Sequence, residues 1–126
     1  TVFGSDYPTR DGSCIRDYVH VCDIADAHLK ALDFLIAKKN TSACSLFNLG
    51  TGNGVSVFEA IRSFEKVSGK QLPFVSGDRR AGDVMAVYAD NTAARTQLNW
   101  HPQYSLDDMM LSAWRWQQTL DANTPA

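Results

Sequence analysis

The sequence has 126 residues, 44% of them hydrophobic and 21% charged, which is enough apolar material for one globular domain and excludes a disordered chain or a coiled coil. The formal net charge of −2 disfavours a nucleic-acid binder that is held by a basic face. No apolar run approaches the roughly 20 residues of a membrane span, so a membrane partner is not expected.

The first half of the chain predicts a loop, a strand, a helix and a second strand. Residues 4–15 mix glycine and proline with polar residues, as a long loop does. Residues 16–21 alternate like a short strand. Asp23 is placed to cap a helix whose apolar residues recur at helical spacing as far as Ile36. Residues 45–49 are a second strand candidate.

The second half predicts further helices and strands. Ser56 and Glu59 form a capping box for a helix, and Gly69 is placed to end that helix. Residues 72–75 predict a third strand, 84–88 a short extended piece and 91–98 a brief helix. Ser105 and Asp108 form another capping box before a last helix. This alternation of strands and helices predicts the α/β class.

Glycines at positions 50, 52 and 54 lie between a predicted strand and a helix, where a dinucleotide-binding loop would lie. Their spacing is G-x-G-x-G, and Val55 stands where the third glycine of G-x-G-x-x-G belongs. We therefore interpret the segment as a tight connecting turn in which glycine relieves backbone strain.

Motifs of known reaction centres do not occur in this sequence. The four tyrosines are followed four residues later by Asp11, Cys22, Thr92 and Asp108, so none forms a catalytic Tyr-x-x-x-Lys pair. No G-x-S-x-G, P-loop or H-E-x-x-H segment occurs either. Three cysteines at unpatterned spacings and three histidines predict no disulfide framework and no metal site. We expect reduced, mostly buried thiols, as in a cytoplasmic protein.

Arginines in two loops are the remaining candidates for chemistry. Residues 79–83 read Arg-Arg-Ala-Gly-Asp, and Arg16 lies where a loop meets a strand. A planar guanidinium group suits phosphate oxygens, and a nearby carboxylate can accept hydrogen bonds from sugar hydroxyls. From these residues alone, a solvated turn at 79–83 and a surface ion pair at Arg16 remain open.

Several segments, taken in chain order, resemble the substrate domain of the UDP-glucose 4-epimerases, which are extended short-chain dehydrogenases. The N-terminal match is F-G-x-D-Y-P-T-x-D-G-S at 3–13, then I-R-D-Y-V-H-V at 15–21 and D-I-A-D-A-H at 23–28. It continues with F-N-L-G-T-G at 47–52, R-R-x-G-D-V at 79–84, Y-A-D at 88–90, L-N-W at 98–100 and W-R-W-Q at 114–117. The resemblance covers residues 1 to about 118.

The resemblance implies a small α/β substrate-binding domain at residues 1–118 that lacks its Rossmann half, with a mobile tail at 119–126. The family interconverts UDP-glucose and UDP-galactose in galactose metabolism, through a 4-keto intermediate and with NAD bound by the Rossmann half. We expect that half, with its Tyr-x-x-x-Lys pair, to precede these residues in a cytoplasmic homodimer. The 126 residues alone are expected to be inactive and to expose apolar surface at 1–3 and near 16–21.

The resemblance also implies a binding site for the UDP-sugar. Counterparts of Arg16 and Arg80 bind the diphosphate, and that of Asp83 meets the uridine ribose. Val87 would face the hexose, where its moderate size leaves room for an N-acetylhexosamine. Arg79 is expected to be solvated. The UDP-sugar-binding positions are Phe3, Arg16, Tyr18, Val57, Arg80, Asp83 and Val87.

Two other functions stay open at this point. The chain could be a stand-alone, non-catalytic module that binds nucleotide sugars or another protein. Within the enzymes, a related nucleotide-sugar decarboxylase or dehydratase is the alternative to an epimerase.

Overall fold

The computed structural model describes residues 1–123, which contain four helices and four two-residue strands. The strands are β1 (Val2–Phe3), β2 (Ile15–Arg16), β3 (Val55–Ser56) and β4 (Ser76–Gly77). The helices are α1 (Val21–Ile36), α2 (Val57–Ser68), α3 (Thr92–Leu98) and α4 (Leu106–Asn123). The predicted α/β class is confirmed.

The strands form two separate pairs that bring distant loops together. β1 runs parallel to β4 and aligns Phe3 with Gly77, directly before the arginine loop at 79–83. β2 runs antiparallel to β3 and aligns Arg16 with Val55. A single parallel bridge then joins Ile15 to Ala86. Residues from three distant parts of the chain thus meet at β2.

The core lies between α1, α3 and the loop after α3. Trp100 is fully buried there, and its indole nitrogen Nε1 donates to the carbonyl oxygen of Asp23 at 2.9 Å. Phe34 of α1 and Leu98 of α3 pack into the same cluster. On the other side of the molecule α2 packs against α4, where the rings of Phe64 and Trp114 meet edge to face.

Helix α1 begins three residues earlier than the sequence predicts. His20 is the N-cap residue, since its Nδ1 accepts from the backbone amide of Cys22 at 3.0 Å. The carboxylate of Asp23 accepts instead from the amides of Gln103 at 2.9 Å and Tyr104 at 3.3 Å. The prediction of Asp23 as the cap is wrong because this buried carboxylate holds the loop before α4.

The strand predictions hold least well. The strand predicted at 16–21 is confined to β2, because the chain turns into α1 at Val21. Residues 45–49 and 72–75 form no strand in the described part of the chain; the third predicted strand is replaced by β4, which starts at Ser76. The extended piece at 84–88 contributes only its bridge at Ala86.

Helix boundaries hold better. Ser56 accepts from the amide of Glu59 at 3.1 Å and the Glu59 carboxylate accepts from the Ser56 amide at 2.8 Å, which confirms the first capping box. The second box, between Ser105 and Asp108, is confirmed by the same pair of contacts. Gly69 ends α2 with a φ of +67°, which favours glycine.

Helix α4 continues to Asn123, so the domain boundary predicted at residue 118 falls inside it. The remainder of the predicted tail, residues 124–126, lies outside the described residues, and its mobility stays a prediction. The prediction of mostly buried thiols is wrong: Cys14 is buried, but Cys22 in the first turn of α1 and Cys44 in a loop are exposed. None of the helices within residues 1–123 is long and apolar enough to cross a membrane.

Candidate functional site

Arg16 of β2 and Arg80 of the arginine loop lie on either side of Asp83. Nη2 of Arg16 is 3.6 Å from Oδ1 of this carboxylate, and Nε of Arg80 is 3.5 Å from Oδ2. Charge-assisted hydrogen bonds are shorter, about 2.7–2.9 Å. Both ion pairs therefore leave guanidinium N–H groups that can donate to a further anion with several oxygens. The Arg80 side chain is 64% exposed and that of Arg16 32%.

The guanidinium of Arg16 is fixed by backbone contacts. Its Nη1 donates to the carbonyl oxygens of Ile15 and Val84, each at 2.8 Å. Ile15 makes two strand-like backbone hydrogen bonds: its carbonyl oxygen accepts from the amide of Val87 at 3.0 Å, and its amide donates to the carbonyl oxygen of Met85 at 2.9 Å. These bonds hold segment 84–87 beside β2. Because the segment that Arg16 binds is itself held, this charge is preorganised.

Arg80 and Arg79 are both stacked on aromatic rings. The guanidinium carbon of Arg80 lies 4.5 Å from the ring centroid of Phe3, and that of Arg79 lies 4.3 Å from the ring of Tyr7, which are cation–π contacts. Arg79 also donates to a carboxylate oxygen of Asp6 at 2.8 Å and to its carbonyl oxygen at 2.6 Å. The hydrogen bond from Arg79 lowers the pKa of the Asp6 carboxyl. The expectation of a solvated Arg79 is wrong, since this side chain joins the arginine loop to the loop after β1.

An open cleft of about 530 Å³ runs from Arg16 past Val87. The fixed guanidinium of Arg16 is among its charged lining groups, and the half-exposed side chains of Val87 and Tyr88 add apolar surface. The cleft is lined by Arg16, Asp17, Asn48, Leu49, Val87, Tyr88, Ala89 and Asp90. Charged and apolar groups in one cleft suit a ligand with both characters.

Tyr18 and Val57 lie toward opposite ends of the β2–β3 pair. Val57 opens α2 and its amide donates to the carbonyl oxygen of Cys14 at 3.0 Å, two residues before Arg16. Tyr18 follows Arg16 on the other side, where burial raises the pKa of its hydroxyl. The structure therefore groups Phe3, Arg80 and Asp83 around Arg16, adds Val87 along the cleft, and leaves these two residues at the margins.

The glycine segment is a turn, as predicted. Gly52 and Gly54 have φ values of +81° and +61°, which favour glycine. The amides of the first three residues of α2 are all bonded within the chain, to the carbonyl of Cys14 and the hydroxyls of Ser13 and Ser56. A dinucleotide pyrophosphate would need such amides, so this helix start does not fit a dinucleotide such as NAD.

Asp17 is the residue of the cleft that sequence reasoning missed. Its carboxylate accepts from the backbone amides of Thr51 at 2.9 Å and Ala89 at 2.6 Å. The signal in the sequence is an acid between Arg16 and Tyr18, which by itself is equally typical of a surface ion pair. In the described part of the chain, no group of three or more metal-ligating side chains could hold a metal ion.

Comparison with known proteins gives consistent matches along nearly the whole chain. The family model described as GDP-mannose 4,6 dehydratase matches residues 1–112. The UDP-glucose 4-epimerase of Bacillus subtilis (strain 168) is 45% identical over 119 residues, which are 94% of this chain and 34% of that protein. The bifunctional UDP-glucose 4-epimerase and UDP-xylose 4-epimerase 3 of Arabidopsis thaliana is 50% identical over 115 residues, 91% of this chain and 32% of that protein.

A solved structure matches equally well. The crystal structure of UDP-glucose-4-epimerase from Stenotrophomonas maltophila, with bound NAD and formylated UDP-arabinopyranose, superposes with a TM-score of 0.92 at 42% identity. The match covers 98% of this chain and 36% of that one. The chain thus spans about a third of the length of the proteins that it matches.

Proposed function

Since the chain belongs to the GDP-mannose 4,6-dehydratase family, as a partial α/β domain of an extended short-chain dehydrogenase, we propose that it is the UDP-hexose-binding part of a UDP-glucose 4-epimerase. The observation that carries this proposal is the pair Arg16 of β2 and Arg80 of the arginine loop, which meet at one carboxylate beside a half-apolar cleft. A nucleotide diphosphate joined to a sugar matches this arrangement, since its phosphate oxygens suit the two guanidinium groups and its sugar suits the cleft.

In this proposal the diphosphate is bound by Arg16 and Arg80. Guanidinium groups from two directions can share its oxygens, each charge-assisted hydrogen bond contributing roughly 1.5–3 kcal/mol. The Asp83 carboxylate lies between the two guanidinium groups and offsets their mutual repulsion. It also offers its oxygens to the ribose hydroxyls.

The remaining positions would form the walls of the site. Phe3, 40% exposed beneath Arg80, offers an aromatic face to the nucleotide. Tyr18 and Val57 would line the nucleotide pocket, and Val87 would face the hexose. Their family counterparts support these roles; the position of Val87 in the cleft with Arg16 is consistent with its role.

The intact protein, by which we mean the complete polypeptide containing these residues, would interconvert UDP-glucose and UDP-galactose. Bound NAD would supply the redox chemistry at C4 of the hexose, from a Rossmann half outside this chain. The residues of this chain would hold the UDP group while the hexose turns, so that binding energy remote from C4 keeps the sugar in the site. The resemblance further supports a cytoplasmic homodimer.

We further propose that α1 packs against the Rossmann half. Apolar residues on one face of this helix are exposed, among them Val21 at 72%, Leu32 at 53% and Ile36 at 69%. A stripe of this size on one helix is typical of a surface that another part of a protein covers.

The test is to measure UDP-galactose conversion and UDP binding by the intact protein and its arginine variants. We expect turnover by the wild type, and a loss of UDP affinity of about tenfold to hundredfold in Arg16→Ala and in Arg80→Ala. Arg115→Ala is the matched control, since Arg115 is exposed on α4. UDP affinity that is unchanged in both site variants would contradict the proposal.

The same assay, run with UDP-glucuronic acid as well as UDP-galactose so that a decarboxylase has a carboxylate to remove, separates the alternatives. A non-catalytic module would bind UDP-sugar without converting it. A decarboxylase or dehydratase would release carbon dioxide or water from the sugar, and the product would differ in mass from its substrate, whereas an epimerase leaves the mass unchanged.

A further inference from the structure

We propose that Asp17 is a positioning residue that fixes the hexose end of the cleft by holding the segment 87–89 against the end of β2. This inference rests on the proposed function. It assigns to the carboxylate a role in sugar turnover separate from binding of the diphosphate by the two arginines.

Three segments of the chain meet at the Asp17 carboxylate. Oδ2 accepts from the amide of Ala89 at 2.6 Å, and Oδ1 accepts from the amide of Thr51 at 2.9 Å and from its hydroxyl at 3.1 Å. The carboxylate is partly buried, so these contacts are less screened than those of a surface ion pair. Asp17 thereby connects β2, the glycine turn and the cleft wall.

The hydrogen bond from the Ala89 amide extends the parallel pairing of β2 with segment 85–87, but its acceptor is a side chain. The amide of Ile15 donates to Met85, and that of Val87 donates to Ile15. The next amide in this order belongs to Ala89, and it is accepted by the side chain of Asp17. A charged acceptor makes a stronger bond than a carbonyl does, so it can hold the wall where β2 has ended.

Gly50 gives independent support, because the junction has no room for a side chain. A Cβ at this position would lie 2.1 Å from Oδ2 of Asp17 and 2.8 Å from Cβ of Ala89. The carbonyl oxygen of Gly50 also accepts from Nδ2 of the buried Asn91 at 2.6 Å. The packing around the carboxylate is therefore tight on both sides of the segment that carries Val87.

Binding of the diphosphate does not depend on this junction. Arg16 is held by the carbonyls of Ile15 and Val84, and Arg80 by its contacts with Phe3 and Asp83. Val87 keeps its own hydrogen bond to Ile15, so loss of the Asp17 carboxylate should free the cleft wall directly after it, at Tyr88 and Ala89, and leave both guanidinium groups in place. Loss of a residue with a merely structural role would weaken UDP binding and sugar turnover together.

The experiment compares Asp17→Asn with the wild type in the intact protein. Asparagine has one acceptor oxygen: if that oxygen accepts from Thr51, the side-chain NH2 group faces the Ala89 amide, and if it accepts from Ala89, the contacts with Thr51 are lost. We expect kcat/KM for UDP-galactose to fall about tenfold to hundredfold, since one charge-assisted hydrogen bond is lost. The Kd of UDP should change less than about threefold by the same conversion. Asp121→Asn, which removes an exposed acid of α4, is the matched control and should match the wild type.

Unchanged turnover in Asp17→Asn, or a Kd of UDP that weakens in parallel with kcat/KM, overturns the inference while the proposed function stands. A wild type without UDP-hexose conversion overturns the proposed function and this inference with it. If the variant does not fold, hydrogen exchange at the Ala89 amide of the wild type decides: slow exchange is expected, and exchange at the rate of a free loop amide overturns the inference.

Discussion

Val87 shows how a single side chain can set the space in a binding cleft. It is 54% exposed and lies beside Tyr88 in the cleft that Arg16 also lines. Its backbone amide is fixed to Ile15, so the side chain cannot move away from a ligand by a shift of the loop. The volume at this position is therefore set by the residue type.

We expect the intact protein to epimerise an N-acetylhexosamine as well as a hexose, because valine leaves space for the N-acetyl group. Val87→Tyr should reduce kcat/KM for UDP-N-acetylgalactosamine by more than about tenfold, since an overfilled site costs roughly 1–3 kcal/mol. Turnover of UDP-galactose is the internal control and should change less. Wild-type protein that converts UDP-galactose but not UDP-N-acetylgalactosamine would contradict this.

The sequence predicted which candidate residues lie close together better than it predicted how they are held. Arg16, Arg80 and Asp83 were identified by resemblance to a family, and the structure brings them together. Arg79 was misjudged because its partner, Asp6, is 73 positions away in the sequence. Local spacing carries no information about such pairs, and the same is true of Asp17 and Ala89.

At the scale of elements, local signals predicted structure well and non-local ones did not. Capping boxes and the glycine at the end of α2 depend on residues within four positions of each other, and all were correct. Strands depend on partners elsewhere in the chain: β1 pairs with β4, more than 70 positions away. Residues 45–49 have the composition of a strand but no strand partner within residues 1–123.

The α2–α4 contact is expected to weaken in acid through Asp107. Its carboxylate accepts from Nζ of Lys66 and from the hydroxyl of Ser63, each at 2.6 Å. The hydrogen bond from Lys66, and then that from Ser63, lower the pKa of Asp107. A lowered folded-state pKa gives stability that is present above the unfolded value of about 3.9 and is lost as the pH falls through the folded value.

The measurement is the thermal unfolding midpoint of the intact protein and of Asp107→Asn across this pH range. The variant should unfold at a lower temperature than the wild type at pH 7, and the gap should narrow as the pH falls below the unfolded value of about 3.9 and through the lowered folded-state pKa of Asp107. Asp78→Asn, which removes an exposed acid of the arginine loop, should show no such gap. A gap that persists unchanged at low pH would show that the carboxylate charge is not its source.

At the scale of the whole molecule, the chain exposes more surface than its size requires. Its accessible area is 8502 Å², whereas a compact monomer of 13.9 kDa exposes about 6,700 Å². Several of the exposed large apolar side chains lie on α1, with Leu29 and Leu32 more than half exposed. The sequence predicted exposed apolar surface at residues 1–3 and 16–21; there Val2 is buried, whereas Phe3 and Val21 are exposed.

This surface predicts that the 126 residues, produced alone, self-associate. They are also expected not to convert UDP-galactose even with added NAD, because they contain no Tyr-x-x-x-Lys pair. Sedimentation velocity should show species larger than a monomer that grow with concentration, because the apolar face of α1 is covered by a second copy in place of the Rossmann half. Leu32→Lys together with Ile36→Lys should restore a monomer, since both side chains lie on that face and neither is buried. The matched control is Asp33→Lys, which adds charge to α1 at an exposed residue outside the apolar stripe. A wild-type chain that stays monomeric at every concentration would mean that α1 needs no partner, and epimerase turnover by that chain would place the reaction centre within these residues.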